Sequence, residues 1–145
     1  MVEVFADGSS LGNPGNSGAG YVIYKNKRLV KKESVYIGEA TNNFAEYIAL
    51  ILSLQEVLLL GEKKVSVYMD SQLVAKQVQG KYKVKNKTLY SLNIIARNLI
   101  EIIGDCNIFY KRREENELAD SLAKKGAKLG RIPKIAEKGQ NTLFD

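Results

Sequence analysis

The order of apolar and polar positions divides the chain into short segments of period two and longer segments of helical period. Val2-Glu3-Val4-Phe5-Ala6 alternates as a short strand ending at Asp7, and the glycine-rich stretch from Gly8 to Gly20, with Pro14 inside it, predicts a loop or turn. Ala19 to Tyr24 and Leu29 to Ile37 are β-rich runs separated by the polar Lys25-Asn26-Lys27-Arg28, so the sheet is expected to begin as an antiparallel meander. From Asn43 to Leu60 the period becomes helical. There Ile48, Leu50, Ile51, Leu52, Leu54, Val57, Leu58 and Leu59 cover most of the circumference and predict a largely buried helix, stopped by Gly61.

Val65 to Met69 reads as another strand, and Asp70-Ser71 opens a short helix through Gln79 that Gly80 ends. Thr88 to Ile103 carries Leu89, Leu92, Ile95, Ala96 and Leu99 at helical spacing. Asn107 to Lys111 is a last short strand, and Glu115 to Leu129 a last helix with Leu118, Ala119, Leu122 and Ala123 as its buried stripe. The strand, helix, strand order of this half predicts parallel pairing. One domain over residues 1–130 is expected, with 131–145, poor in apolar residues and containing Pro133, as a tail.

Composition narrows the chemistry. A chain of 145 residues, 45% hydrophobic and 26% charged, can bury one core. Its formal net charge of +6 favours a polyanionic partner. The absence of His removes Ser-His-Asp and Cys-His nucleophilic sets and the commonest zinc and iron ligands, which leaves carboxylates, Lys, Arg and Tyr. Cys106 stands alone, so a reduced, partly buried structural thiol is expected. No basic-then-apolar leader and no apolar run of about 20 residues is seen, so a cytoplasmic protein without a membrane segment is expected.

Four acids stand out, each with a structural and a chemical reading. Asp7, ending a strand before Gly8, suits an ordinary turn as well as a site. Glu46, three residues after Asn43, could close a capping box, yet a carboxylate opening an apolar helix would need a cation or strong donors if it pointed inward. Asp70 suits a helix start through the macrodipole, and Asp120 a solvated first turn.

Four segments together go further. Asp7-Gly8-Ser9-Ser10-Leu11-Gly12-Asn13-Pro14-Gly15, Thr41-Asn42-Asn43-Phe44-Ala45-Glu46-Tyr47, Asp70-Ser71-Gln72-Leu73-Val74 and Arg113-Glu114-Glu115-Asn116-Glu117-Leu118-Ala119-Asp120 occur in that order. They closely resemble the signature segments of type 1 ribonuclease H, and the resemblance runs from residue 2 to about residue 129. It implies an α/β chain of the ribonuclease H-like fold, a mixed five-stranded sheet flanked by helices, in which Asp7, Glu46, Asp70 and Asp120 meet. Four converging carboxylates need cations, and an all-oxygen set suits two Mg²⁺ ions about 4 Å apart, with Mn²⁺ as a substitute.

The implied activity is endonucleolytic hydrolysis of the RNA strand of an RNA/DNA hybrid, leaving 5′-phosphate and 3′-hydroxyl ends. By the same resemblance one ion activates water for in-line attack on the RNA phosphorus and the other stabilises the leaving 3′ oxygen. Asn13, Asn42 and Gln72, with backbone near Ser10, match family positions that contact RNA in the minor groove, and Thr41 with Asn42 is placed to hold a DNA-strand phosphate. Turn and capping chemistry is the plainer account of Asn13 and of Thr41-Asn42-Asn43. Lys81, Tyr82, Lys83, Lys85 and Lys87 form either a basic ribbon for the DNA strand or a solvated connector.

The chain also departs from the family. Many members place a His before the last carboxylate; Arg113 stands in that loop here and resembles the branch that uses Arg, where it would contact phosphate or steady the product rather than act as a base. Only about ten residues, Gly80 to Leu89, separate the second and third helices, which leaves no room for the extra basic helix of other members, and no hybrid-binding domain is expected before Met1. Alternatives are another nuclease of the same fold, such as an exonuclease or resolvase, or a non-catalytic nucleic-acid binder. In the tail, Gln140, Leu143 and Phe144 resemble a short sliding-clamp docking peptide, which makes a clamp a second candidate partner.

Overall fold

A computed structural model describes residues 1–131. The candidate clamp residues Gln140, Leu143 and Phe144, and nearly all of the expected tail, lie outside the described residues.

Strands β1 (Val2–Ser10), β2 (Gly15–Lys25) and β3 (Arg28–Ala40) form an antiparallel meander, followed by helix α1 (Asn42–Leu59), strand β4 (Lys64–Met69), helices α2 (Gln72–Val78) and α3 (Lys87–Ile103), strand β5 (Asp105–Tyr110) and helix α4 (Glu117–Leu129). The sheet order is β3-β2-β1-β4-β5; β1 pairs parallel with β4, and β4 with β5. This is the mixed five-stranded sheet the resemblance implied. The β2–β3 connection is a two-residue turn in which Asn26 and Lys27 take φ of 52° and 69°, the left-handed pair that matches strand twist.

Val2, Val4 and Ala6 of β1 and Val65, Val67 and Met69 of β4 meet Tyr47, Leu50, Leu54 and Val57 of α1 in the main core. Inside it Tyr47 Oη donates to Gln77 Oε1 at 2.8 Å and accepts from Asn93 Nδ2 at 3.2 Å, which ties α1, α2 and α3 together with satisfied bonds. Helix α4 packs on the opposite side of β2 and lies nearly on the backbone. A Cβ on Gly18 would stand 2.3 Å from Ala123 O, one on Gly20 2.4 Å from Ala123 N, and one on Gly126 2.5 Å from Val35 O.

Several expectations are corrected. Gly8 to Gly20 is mostly strand; only residues 11–14 form the turn, because Gly8, Gly18 and Gly20 answer to close packing by helices rather than to chain reversal. Helix α4 begins two residues later than expected, after a single 3₁₀ turn at Arg113–Glu115. Its buried stripe is Ala119, Ala123, Gly126 and Ala127, and Leu118 is 41% exposed. Leu59, expected in the core, is 82% exposed at the end of α1, and Ile95 of α3 faces outward while Asn93 is buried. Cys106 is buried and its thiol is pushed up to about 12 by burial, then by the charge of Asp105, as befits an inert thiol. No helix among the described residues is long and apolar enough to cross a membrane.

Candidate active site

Each acid is delivered by a different piece of chain. The register Ala6↔Met69 sets Asp7, the next residue of β1, beside Asp70, the residue that follows β4. Gly8 presses against α1, where a Cβ would fall 2.3 Å from Glu46 N, and its own N–H donates to Glu46 Oε1 at 2.8 Å. Glu46 therefore does not close a capping box: Thr41 is the N-cap, accepting from Phe44 N at 3.2 Å, and the Glu46 carboxylate turns toward Asp7. Ser71 caps α2 by accepting from Val74 N, which fixes the chain just after Asp70. Asn116 is buried and donates from Nδ2 to Ala6 O at 3.1 Å, which pins the start of α4 to β1 and brings Asp120 to the same place.

One carboxylate oxygen from each of Asp7, Asp70 and Asp120 lies within 4.8 Å of the others. Both Asp7 oxygens, Glu46 Oε2 and Asp70 Oδ2 are buried with no hydrogen-bond donor. Arg113 Nε stands 3.4 Å from Asp70 Oδ2, an ion pair rather than a hydrogen bond, and Lys124 Nζ lies 3.0 Å from Asp120 Oδ2. Two arginine and lysine charges at the rim face four acids, two of them buried.

The electrostatics follow. Burial, then contact with Glu46 and the charges of Glu46 and Asp70, drives the Asp7 carboxyl far above its ordinary range. Burial raises Glu46 to about 7, against the lowering effect of its contact with Asp7. Each of the two adjacent carboxyls is thus harder to ionise than it would be in water. Burial also acts to raise Asp120, but its contacts with Asp7 and Lys124 and the positive charges of Lys124 and Arg113 hold it below the usual range. Buried, donor-poor oxygens from Asp7, Glu46 and Asp70, with Asp120 beside them, are what a hard divalent cation takes as ligands, so the residues fit such an ion.

Around the acids is a depression of about 420 Å³ that also includes Ser9, Ser10, Asn42, Ser71, Arg113 and Lys124. Ser10 N donates to Asn42 Oδ1, and Asn42 N donates to Asn13 Oδ1, both at 3.0 Å, so these three candidates form one linked rim. Gln72 is exposed in the first turn of α2. Thr41 and Asn13 also line a second depression, of about 510 Å³, between the starts of α1 and α3. Lys81, Tyr82, Lys83 and Lys85 are exposed on the α2–α3 connector, away from the acids; Lys76 Nζ covers the Tyr82 ring at 5.2 Å, and Gln77 Nε2 donates to Lys83 O at 3.4 Å. They form a neighbouring surface, not part of the carboxylate pocket. Sequence reasoning passed over Lys124 and the anchoring part of Asn116; the i,i+4 spacing of Asp120 and Lys124 was the available signal for the first.

With the geometry in view, comparison with known proteins is direct. The profile of the RNase H family matches residues 1–128. A bifunctional protein of Mycobacterium tuberculosis is 39% identical over 124 residues, which cover 84% of this chain but 34% of that protein, so the chain spans about a third of this relative's length. Ribonuclease HI of Haemophilus ducreyi is 34% identical over 141 residues, 87% of this chain and 90% of that one. The crystal structure of LC11-RNase H1 in complex with an RNA/DNA hybrid superposes with a TM-score of 0.84 at 36% identity, covering 89% of this chain and 98% of that chain.

Proposed function

The chain belongs to the RNase H family, and on that premise we propose that it hydrolyses the RNA strand of RNA/DNA hybrids endonucleolytically, leaving 5′-phosphate and 3′-hydroxyl ends. The observation that carries this reading is the convergence of Asp7, Glu46, Asp70 and Asp120 with four buried oxygens that lack donors. A purely structural cluster would have recruited donors or become apolar. Two Mg²⁺ ions held by these acids would supply Lewis-acid stabilisation of phosphoryl oxygens and a water made nucleophilic near neutral pH.

The chain's own groups do the rest by position. Asp7 and Asp70 are set by strand register, Glu46 by the Gly8 N–H and Asp120 by the Asn116 anchor, so the ligand set is preorganised. Asn42 and Asn13 have their amide oxygens occupied by backbone donors, so it is their NH₂ groups that would serve a ligand; with Gln72 they would read the 2′-hydroxyls that distinguish RNA from DNA. Arg113, 68% exposed at the rim, would hold a phosphate oxygen or the departing product; it stays protonated and takes no proton. Thr41 and the Lys81 to Lys85 connector would hold the DNA strand by its phosphates. In this reading the chain resembles the His-less branch with Arg before the last Asp, and the direct α2–α3 connection, from Val78 to Lys87, fits members without the basic protrusion.

An end-labelled hybrid, an RNA duplex and a DNA duplex of one sequence, each with Mg²⁺ and with Mn²⁺, provide the test. Internal cuts in the RNA strand of the hybrid alone, with 5′-phosphate ends and no cleavage in EDTA, are expected. Cleavage of the DNA duplex at a comparable rate would favour another nuclease of this fold, and metal-dependent binding without cleavage would favour a binder.

A further inference from the structure

Beyond the carboxylate pocket, α4 carries a second surface feature. Ser121, Lys124, Lys125 and Lys128 recur at helical spacing on one exposed face and line, with Leu129, a depression of about 510 Å³. Lys124 belongs to both depressions: its ammonium is paired with Asp120 on the pocket side and borders the lysine face on the other. Lys125 and Lys128 have no acidic partner among the described residues. Of the three ammonium groups, Lys124 is paired with Asp120 at the mouth of the pocket, and Lys125 and Lys128 beside it leave a positive field that a polyanion lowers.

We propose that the Ser121, Lys124, Lys125, Lys128 face of α4 is a phosphodiester-binding track continuous with the pocket, along which the backbone of the nucleic-acid strand runs as it leaves the carboxylates. This rests on the proposed hybrid substrate and adds to it a surface on the side of the pocket where α4 lies. Its chemistry is sequence-independent: lysines meet phosphates as point charges, while Ser121, whose hydroxyl donates to Leu118 O at 2.9 Å, leaves the face small and open between them, so the track adds affinity and register without reading bases. Lys124 links the two regions, because the charge that holds Asp120 is also the first cation the emerging strand meets.

The test uses the full chain and two double variants. Lys125→Gln with Lys128→Gln removes the outer track. Lys63→Gln with Lys64→Gln removes the same charge from the start of β4, at the end of that strand remote from Asp70. Affinity for a fluorescein-labelled hybrid is read by anisotropy in EDTA over a salt series, and KM and kcat with Mg²⁺ are read separately. Loss of two phosphate contacts is expected to weaken binding roughly tenfold at about 50 mM salt and to flatten the slope of log affinity against log salt by roughly 1.5. KM should rise to match and kcat should hold, while the Lys63, Lys64 variant keeps the wild-type slope. A Lys125, Lys128 variant with the slope of the wild type, or a control variant that loses as much, would overturn the track. Because binding is read without metal, failure of the wild type to cut hybrids would sink the proposed hydrolysis and leave the track judged by its own slope.

Discussion

Replacing Glu46 by Gln should stabilise the metal-free protein above neutral pH and do little in acid. The Glu46 carboxyl is raised from 4.5 to about 7, chiefly by burial. At about 1.4 kcal/mol per pH unit, this makes its ionisation in the folded state cost about 3 kcal/mol. The folded protein therefore holds this proton more tightly than the unfolded chain. That contribution is fully present below about pH 4.5 and is lost as pH climbs through about 7, so stability falls over this window. Gln keeps an oxygen for the Gly8 N–H and turns an amide toward Asp7 in place of a second carboxylate. At roughly 3 °C per kcal/mol for a chain of this size, the variant should melt about 10 °C higher than wild type at pH 8, with the gap closing toward pH 4.5. Thermal unfolding followed by circular dichroism in EDTA from pH 4.5 to 8.5 gives the comparison. Mg²⁺ at ten times its dissociation constant should raise the wild-type stability by about 1.4 kcal/mol and that of the variant by less. A gap that stays constant with pH, or equal stabilisation of both proteins by Mg²⁺, would refute the reasoning.

Asp70→Asn should remove most hybrid cleavage while leaving the fold intact or more stable, since it removes one charge from the cluster; full turnover by a folded variant would sink the metal assignment. Arg113→Ala should lower kcat more than it raises KM, and steady-state kinetics giving a pure KM effect would contradict a place at the cleaved phosphate. Gly20→Ala puts a Cβ 2.4 Å from the backbone of α4, so urea melts should show a loss of about 1–3 kcal/mol, accompanied by slower cleavage because Asp120 rides on that helix. A hybrid with a single embedded ribonucleotide should be cut poorly if Asn13, Asn42 and Gln72 read several 2′-hydroxyls, and gel analysis showing efficient cutting there would refute that contact set.

What could be read from the sequence depended on how local its physical cause was. The β2–β3 turn, α1 and the Gly61 and Gly80 stops were legible because the chain reversal or helix end is written in adjacent residues. The extent of β1 and β2 was not: Gly18 and Gly20 look like loop residues, and only the arrival of α4 about a hundred residues later explains them. The same approach explains why Leu118 was misjudged, since a helix that lies on bare backbone buries alanines rather than leucines. The four acids were recognisable as words of a family, but their spacing alone could not show that Glu46 accepts from Gly8 or that Lys124 pairs with Asp120. Those contacts are made by tertiary placement.

The pocket's four acids enter from β1, α1, the end of β4 and α4, and the contacts that set them span from 38 residues, Gly8 to Glu46, to 110, Ala6 to Asn116. Nothing local assembles even half of it. The site should therefore be completed late in folding, after the parallel β1–β4 pairing and the seating of α4 on β2, since these close the longest loops. A ligand that needs all four carboxylates has nothing to grip in a half-folded chain. It would leave the folding rate unchanged and appear wholly as slower unfolding, acting as a brake on opening rather than a template for assembly.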